Sequence, residues 1–396
     1  MRNFVPVVRL VVAALGAVAF GLVPAAGDAA GEPFDIPAIV SLTGPLALIG
    51  QAQRDALVAL EDFVNKTGGI DGRPIHFAIA DDQTNPQIAV QLMNQIAAKN
   101  PALVLGPSSS GSCKAVFPLV KQGPVVYCFS IAVDTRPGSF EFGSLATNYD
   151  LNLTAIRWLR MRGLTRLALI APTDTTGQDY DRSIDQILAL PENKSLTLVA
   201  HEHMNVADVS VAAQIARIKA SGANVLLLGT ASTAVGTIFR GISDAGLDLP
   251  VVGGTGLASQ TFMRQYAAVL PKELFVEGFP CLVPSIIVDR SLRSAYQSYR
   301  TAMVEHGVGV VDCQAAAAWD PGLILISALR KLGTNANAEQ VRAYVAGQVA
   351  FAGADGAFDF KRVPQRGIDA RSIIITRWDS AKLAFVAASK AGGMPL

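Results

Sequence analysis

Three sets of residues have side chains able to hold or attack a ligand. They are the serine-rich turn Gly106-Pro107-Ser108-Ser109-Ser110-Gly111-Ser112 with Ser130 beyond it, the four cysteines Cys113, Cys128, Cys281 and Cys313, and the four histidines His76, His201, His203 and His306. A serine nucleophile on a strand-to-helix turn needs Gly-x-Ser-x-Gly, and the stretch Gly106 to Ser110 lacks the final glycine. Gly253-Gly254-Thr255-Gly256 lacks the Gly-x-Gly-x-x-Gly spacing of a dinucleotide turn, and no phosphate loop with Gly-Lys-Ser/Thr occurs. His201-Glu202-His203 would put two imidazoles on one face of a strand, without the i, i+4 spacing of a helical zinc pair, and reads as a solvated edge. No Cys-x-x-Cys occurs and no histidine adjoins a cysteine. The reading is therefore of a binding protein with no catalytic set, no metal and no cofactor.

The serine turn carries more chemistry. It lies between an apolar strand and the start of a helix, where free backbone N–H groups and the helix dipole favour an anion. Ser109, Ser110 and Ser112 add hydroxyl donors, and Ser130, at the end of the next strand, would point into the same crevice. A carboxylate fits there; ordinary helix capping by serine is the competing account.

The elements that position these residues alternate. Strand 36–42, helix 51–65, strand 74–80, helix 87–99 capped by Asn85 with Pro86 at its first position, strand 102–105, a helix ending near Gln122, and strand 125–128 make one α/β unit. From about Tyr149 the alternation restarts with helix 151–161, strand 167–171, helix 179–190, strand 196–201, helix 210–220, strand 225–228, a helix ending near Gly246, and strand 249–252. Long helices at 289–306 and 314–332 and short strands near 357–360, 373–377 and 383–386 then return to units already built. Such alternation predicts parallel sheets covered on both faces.

The 396 residues are 51% hydrophobic and 16% charged, enough to bury two cores. Residues 1–30 read as a secretory signal peptide, with Arg2 and Arg9, an apolar run from Leu10 to Val23, and small residues Ala25, Ala26, Ala29 and Ala30. The run is shorter than the roughly 20 residues of a spanning helix. Without residues 1–29, which hold Arg2, Arg9 and Asp28, 31 basic and 31 acidic residues remain. That balance carries no footprint for nucleic acid or an anionic membrane. Export to an oxidising compartment permits disulfides, and Cys113 with Cys128 and Cys281 with Cys313 is the favoured pairing, because each closes a short loop.

Several stretches together resemble the branched-chain amino-acid binding protein family, the type I periplasmic solute-binding proteins of ABC importers. They are SLTGPLALIG at 41–50, NKTGGIDGRPI at 65–75, DDQTNPQIAV at 81–90, LVLGPSSSG at 103–111, PVVYCFS at 124–130, DAGLDLPVVGG at 244–254 and FDFKRVPQRG at 358–367. The resemblance implies an α/β fold of two Rossmann-like lobes joined by a three-segment hinge near 148–150, 277–281 and 345–352. Lobe one would hold 34–148 plus 280–346, and lobe two 149–279 plus 347–396. It further implies a periplasmic monomer that closes on a small organic acid and hands it to the membrane permease subunits of an ABC importer.

Carried over residue by residue, the resemblance places a ligand carboxylate on Ser110, beside Ser109 and Gly111, and on Ser130, Ile131 and Ala132. A threonine usual in the family falls at Ala132, so Ser130 would supply that hydroxyl. Ile49, Thr176, Ala231 and Thr255 complete the expected lining. Tyrosines usual in the second lobe fall at Thr176 and Ala231, which widens the cleft. The glutamate that receives an amino acid's ammonium falls at Thr255. An unpaired buried charge costs several kcal/mol, so an acid lacking an ammonium, such as an aromatic carboxylate, is the expected ligand. Asp174, Asp179 or Asp320 replacing the missing carboxylate keeps an amino acid as the alternative. A ligand-sensing receptor of the same fold and a secreted hydrolase using Ser110 or Ser130 are the other readings. Tyr127, Phe129, Trp319 and Gln314 are further candidates for ligand contact.

Overall fold

A computed structural model describes residues 1–2, 32–230, 234–309, 311 and 313–396. All but the first two residues of the expected leader, and Ala231, lie outside the described residues. The first half of the chain forms β1 (Phe34–Val40), α1 (Ala47–Lys66), β2 (Ile75–Asp81), α2 (Pro86–Ala97), β3 (Leu103–Leu105), α3 (Ser110–Val116), β4 (Val125–Cys128), β5 (Glu141–Gly143) and α4 (Asn148–Met161). There follow β6 (Arg166–Pro172), α5 (Thr175–Leu188), β7 (Thr197–Met204), α6 (Ala212–Ala220), β8 (Val225–Leu228), α7 (Ala234–Asp244), β9 (Val251–Gly253), α8 (Gln260–Gln265) and β10 (Leu274–Gly278). The chain ends with α9 (Arg290–Glu305), α10 (Cys313–Leu332), α11 (Ala338–Ala346), β11 (Phe351–Ala352), β12 (Ala357–Phe358), β13 (Ile374–Asp379) and β14 (Ala384–Ala387).

Two sheets result. The first is five-stranded in the order β2-β1-β3-β4-β5, parallel throughout. The second is seven-stranded, β14-β13-β10-β9-β8-β6-β7, parallel from β10 to β7 and closed at the other end by antiparallel β13 and β14. Val104, Val126 and Leu227 illustrate why: their strands are buried on both faces, the burial that parallel sheets require. Asn85 caps α2 by accepting from the Gln87 and Ile88 amides, with Pro86 at the first helical position. Strands β5 and β10 and helix α11 go beyond the elements read from the sequence.

Helices α9, α10 and α11 return to the first sheet. α10 lies along α1, and Gly322 permits the close approach, since a methyl group there would meet Leu60 Cδ2 at 2.4 Å. The turn after β12 also stays with the first sheet. Phe360 packs edge-on to Tyr127 and Phe142, with ring centroids 6.5 and 6.0 Å away, and the Gly143 amide donates to Gln365 O. Because Phe360, Gln365 and Arg366 hold this stretch against the first core, we propose that the third lobe crossing follows Ile368, later than the expected 345–352.

Both expected disulfides are present, Cys113–Cys128 and Cys281–Cys313, at sequence separations of 15 and 32. Loop-closure entropy assigns the longer one about 3–4 kcal/mol. The double variant C281S/C313S is expected to lose that much in guanidinium unfolding, with a steeper slope because the unfolded chain is released from its cross-link, and an unfolding free energy equal to that of the wild type would refute the assignment.

Candidate functional site

Strand order points to the site before any side chain does. In an open parallel sheet a ligand sits outside the carboxyl ends of the strands where the order reverses. In the first sheet the reversal lies between β1 and β3, whose carboxyl ends lead to Ser41 and to the serine turn. In the second it lies between β6 and β8, whose ends lead to Thr173–Thr176 and to Gly229–Thr230. These two edges face each other.

On the first edge a buried network fixes the backbone. Ser41 Oγ donates to Asp82 Oδ1 at 2.6 Å, the Ser41 amide donates to Ser108 Oγ at 3.1 Å, and Ser108 Oγ donates to Gln53 Oε1 at 2.6 Å. Ser109 is spent on capping α3: its Oγ accepts from the Ser112 amide at 3.0 Å and bonds the Ser112 hydroxyl at 2.8 Å. The capping account thus describes Ser109, and Ser112 supplies the amide that it caps. Ser110 differs, because its hydroxyl lies 2.6 Å from that of Ser130, both side chains being buried. The expected pair is together.

The second edge supplies Thr176, in the first turn of α5, whose Oγ1 donates to Ser110 Oγ at 3.4 Å. Thr255 lies in the turn after β9, and its carbonyl accepts from Gln314 Nε2 at the start of α10. The Ser110–Thr176 and Gln314–Thr255 bonds join elements of different sheets and hold the two edges together. Ala132 is buried, whereas Gly111, Ile131 and Ile49 are partly exposed. Tyr127 and Trp319 are core rings with no exposed surface: Tyr127 packs on Phe142 at 5.6 Å, and Trp319 on Phe63 and Tyr299 at 5.6 and 5.4 Å. Phe129 is likewise buried.

The three acids considered as ammonium partners are engaged elsewhere. Asp174 caps α5 by accepting from the Gly177 amide at 2.9 Å, and Asp179 accepts from Asn148 Nδ2 at 2.8 Å and pairs with Arg182. Asp320 accepts the Ala354 and Asp355 amides at 2.7 and 2.9 Å; burial pushes its carboxyl up to about 7, against the pull of those amides.

Two residues of consequence were absent from the sequence reading. Glu277, at the carboxyl end of β10, is fully buried, and neither carboxylate oxygen has a hydrogen-bond partner among the described residues. Burial pushes it up to about 8, so it is mostly protonated at neutral pH. It lies beneath the Thr255 turn, since a methyl group on Gly254 would stand 3.7 Å from its Oε2. Arg366 is the other. Its guanidinium is buried and donates to the carbonyls of Leu145, Val133 and, at 3.2 Å, Ile131, so it shapes the segment that carries Ser130 to Ala132. A periodicity argument finds neither residue: the carbonyls that Arg366 serves are remote in sequence, and nothing local marks Glu277 as a buried carboxyl without a partner among the described residues.

The profile of the periplasmic binding protein family matches residues 33–383. The Leu/Ile/Val-binding protein homolog 3 of Brucella melitensis is 26% identical over 254 residues, 63% of this chain and 68% of the relative. The leucine-, isoleucine-, valine-, threonine- and alanine-binding protein of Pseudomonas aeruginosa is 27% identical over 228 residues, covering 55% of this chain and 59% of that protein. Among solved structures, an extracellular ligand-binding receptor of Rhodopseudomonas palustris HaA2 has the same fold, with a TM-score of 0.80 at 16% identity over 90% of this chain and 100% of that one. A solute-binding protein from R. palustris in complex with 4-hydroxybenzoate superposes with a TM-score of 0.74 at 14% identity, over 90% of this chain and 95% of its own.

Proposed function

The chain belongs to the periplasmic binding protein family, and from that premise we propose that it is the periplasmic solute-binding component of an ABC importer, closing its two lobes on a small carboxylate. The observation that carries this reading is the meeting of Ser110, Ser130 and Thr176 hydroxyls from two facing sheet edges. Three hydroxyls can turn their protons towards a carboxylate. Contacts made only on closure shift the population to the closed form.

An aromatic acid is the favoured ligand class. Thr255 offers an ammonium no charge, and Asp174, Asp179 and Asp320 already hold partners. Glu277 favours a second reading, an amino acid, because a buried carboxyl beneath the Thr255 turn would ionise to meet an ammonium.

Thermal shift against aromatic acids and branched-chain amino acids separates the two, since a ligand at a hundred times its Kd stabilises by about 2.7 kcal/mol. Stabilisation by aromatic acids alone is expected. A rise with amino acids alone, lost in Glu277→Gln, would transfer the assignment to the second reading. Ser110→Ala is expected to weaken the bound acid about 10- to 100-fold, the worth of a hydrogen bond to a charged group. Unchanged calorimetric affinity in that variant would remove Ser110 from the site.

A further inference from the structure

We propose that Asp181, His201 and His203 form a surface site for a divalent transition metal, separate from the cleft and from solute binding. His201 and His203 are two apart on β7, so their side chains leave the strand on the same face. Their rings lie 4.5 Å apart. Asp181, from the second turn of α5, stands between them. His201 Nε2 is 2.9 Å from Asp181 Oδ1, and His203 Nε2 is 2.8 Å from Asp181 Oδ2. All three donor atoms lie within 4.8 Å of one another. Both histidines are exposed on an edge strand, as the sequence reading of a solvated edge expected; the carboxylate arriving from another element is what that reading did not see.

The geometry suits a metal. Ligand atoms bonded to zinc at about 2.0–2.1 Å stand about 3.3 Å apart around a tetrahedron, close to the separations present here between each imidazole nitrogen and its carboxylate oxygen. Two imidazoles and one carboxylate select zinc, nickel or copper over calcium or magnesium, which prefer oxygen ligands. The carboxylate supplies negative charge, and a metal would take the place of the protons now shared between ring nitrogens and oxygens. The three side chains are partly exposed, so an ion can enter and complete its coordination with water. β7 is the edge strand of the seven-stranded sheet. A bound ion would clip it to α5, the helix whose first turn carries Thr176.

The test is calorimetric titration of tag-free, chelator-treated full-length protein with zinc chloride. One zinc per chain is expected. His203→Ala and Asp181→Asn should each weaken binding on the order of tenfold or more. The melting temperature without metal should stay at the wild-type value, and the zinc-induced rise should be lost. His306→Ala, remote from the cluster and paired with Asp62, should bind as the wild type does. Absence of zinc binding by the wild type, or full retention in both cluster variants, overturns the site.

Discussion

Arg366→Met is expected to destabilise the protein by about 3 kcal/mol or more, because three buried carbonyls would each lose a donor at about 1–3 kcal/mol apiece. The guanidinium is buried, and its two terminal nitrogens serve three carbonyls, those of Leu145, Val133 and Ile131. Burial lowers its pKa to about 10, against the opposing pull of Asp150, Asp179, Asp134 and Tyr127, so it stays charged at neutral pH. Methionine would fill the volume and leave the three carbonyls without donors. Lysine cannot reproduce the fork, so Arg366→Lys should recover only part of the loss. Because two of the carbonyls belong to the segment that follows Ser130, ligand affinity should fall along with stability. Gly143→Ala gives a milder version, since its methyl group would stand 3.0 Å from Nη1. Urea unfolding checks the prediction, and an Arg366→Met midpoint within about 1 kcal/mol of the wild type would show that the network contributes little.

The second large effect is a dependence on pH set by Glu277. Its carboxyl titrates near 8 in the fold, against an ordinary value of 4.5. Between those two values the unfolded chain has lost a proton that the folded chain keeps, so stability falls as pH rises through this window and levels off above it. At about 1.4 kcal/mol for each unit, the full change from 4.5 to about 8 is about 5 kcal/mol. Glu277→Gln removes the ionisation while keeping the shape. The variant should gain on the wild type from about pH 5 upward, lead it by the full amount near pH 8 and above, and show a flatter profile from pH 5 to 9. Some slope should remain, because Asp320, raised to about 7, acts with the same sign. Parallel melting curves for the two proteins across this range would mean that Glu277 is solvated or paired in solution.

Much of this was legible in the chain. Asn85-Pro86 announced α2, and the cysteines paired as their spacing favoured, because both depend on neighbours close in sequence. Ser110 and Ser130 could be placed together because each follows a strand end of the same sheet. The Asn337 and Gln340 capping box that opens α11 was legible too and went unread. Strand β5 was not, since three residues carry too little periodicity. Glu277 reads as one position in an apolar run, and nothing local reveals that it lacks a partner. Arg366 sits in a polar stretch, KRVPQRG, where burial is the opposite of what composition suggests.

The order of strands in the second sheet bears on how the protein is made. β13 lies between β10 and β14, and both late strands come from the last part of the chain, after α9 to α11 have returned to the first sheet. Neither lobe can therefore be completed during vectorial synthesis until the polypeptide is almost fully extruded, since one waits for its returning helices and the other for its closing strands. Long sequence separation between pairing partners slows folding and leaves the outer edge of β10 open to other chains. A nascent chain with this topology keeps one edge of β10 unpaired until β13 has emerged.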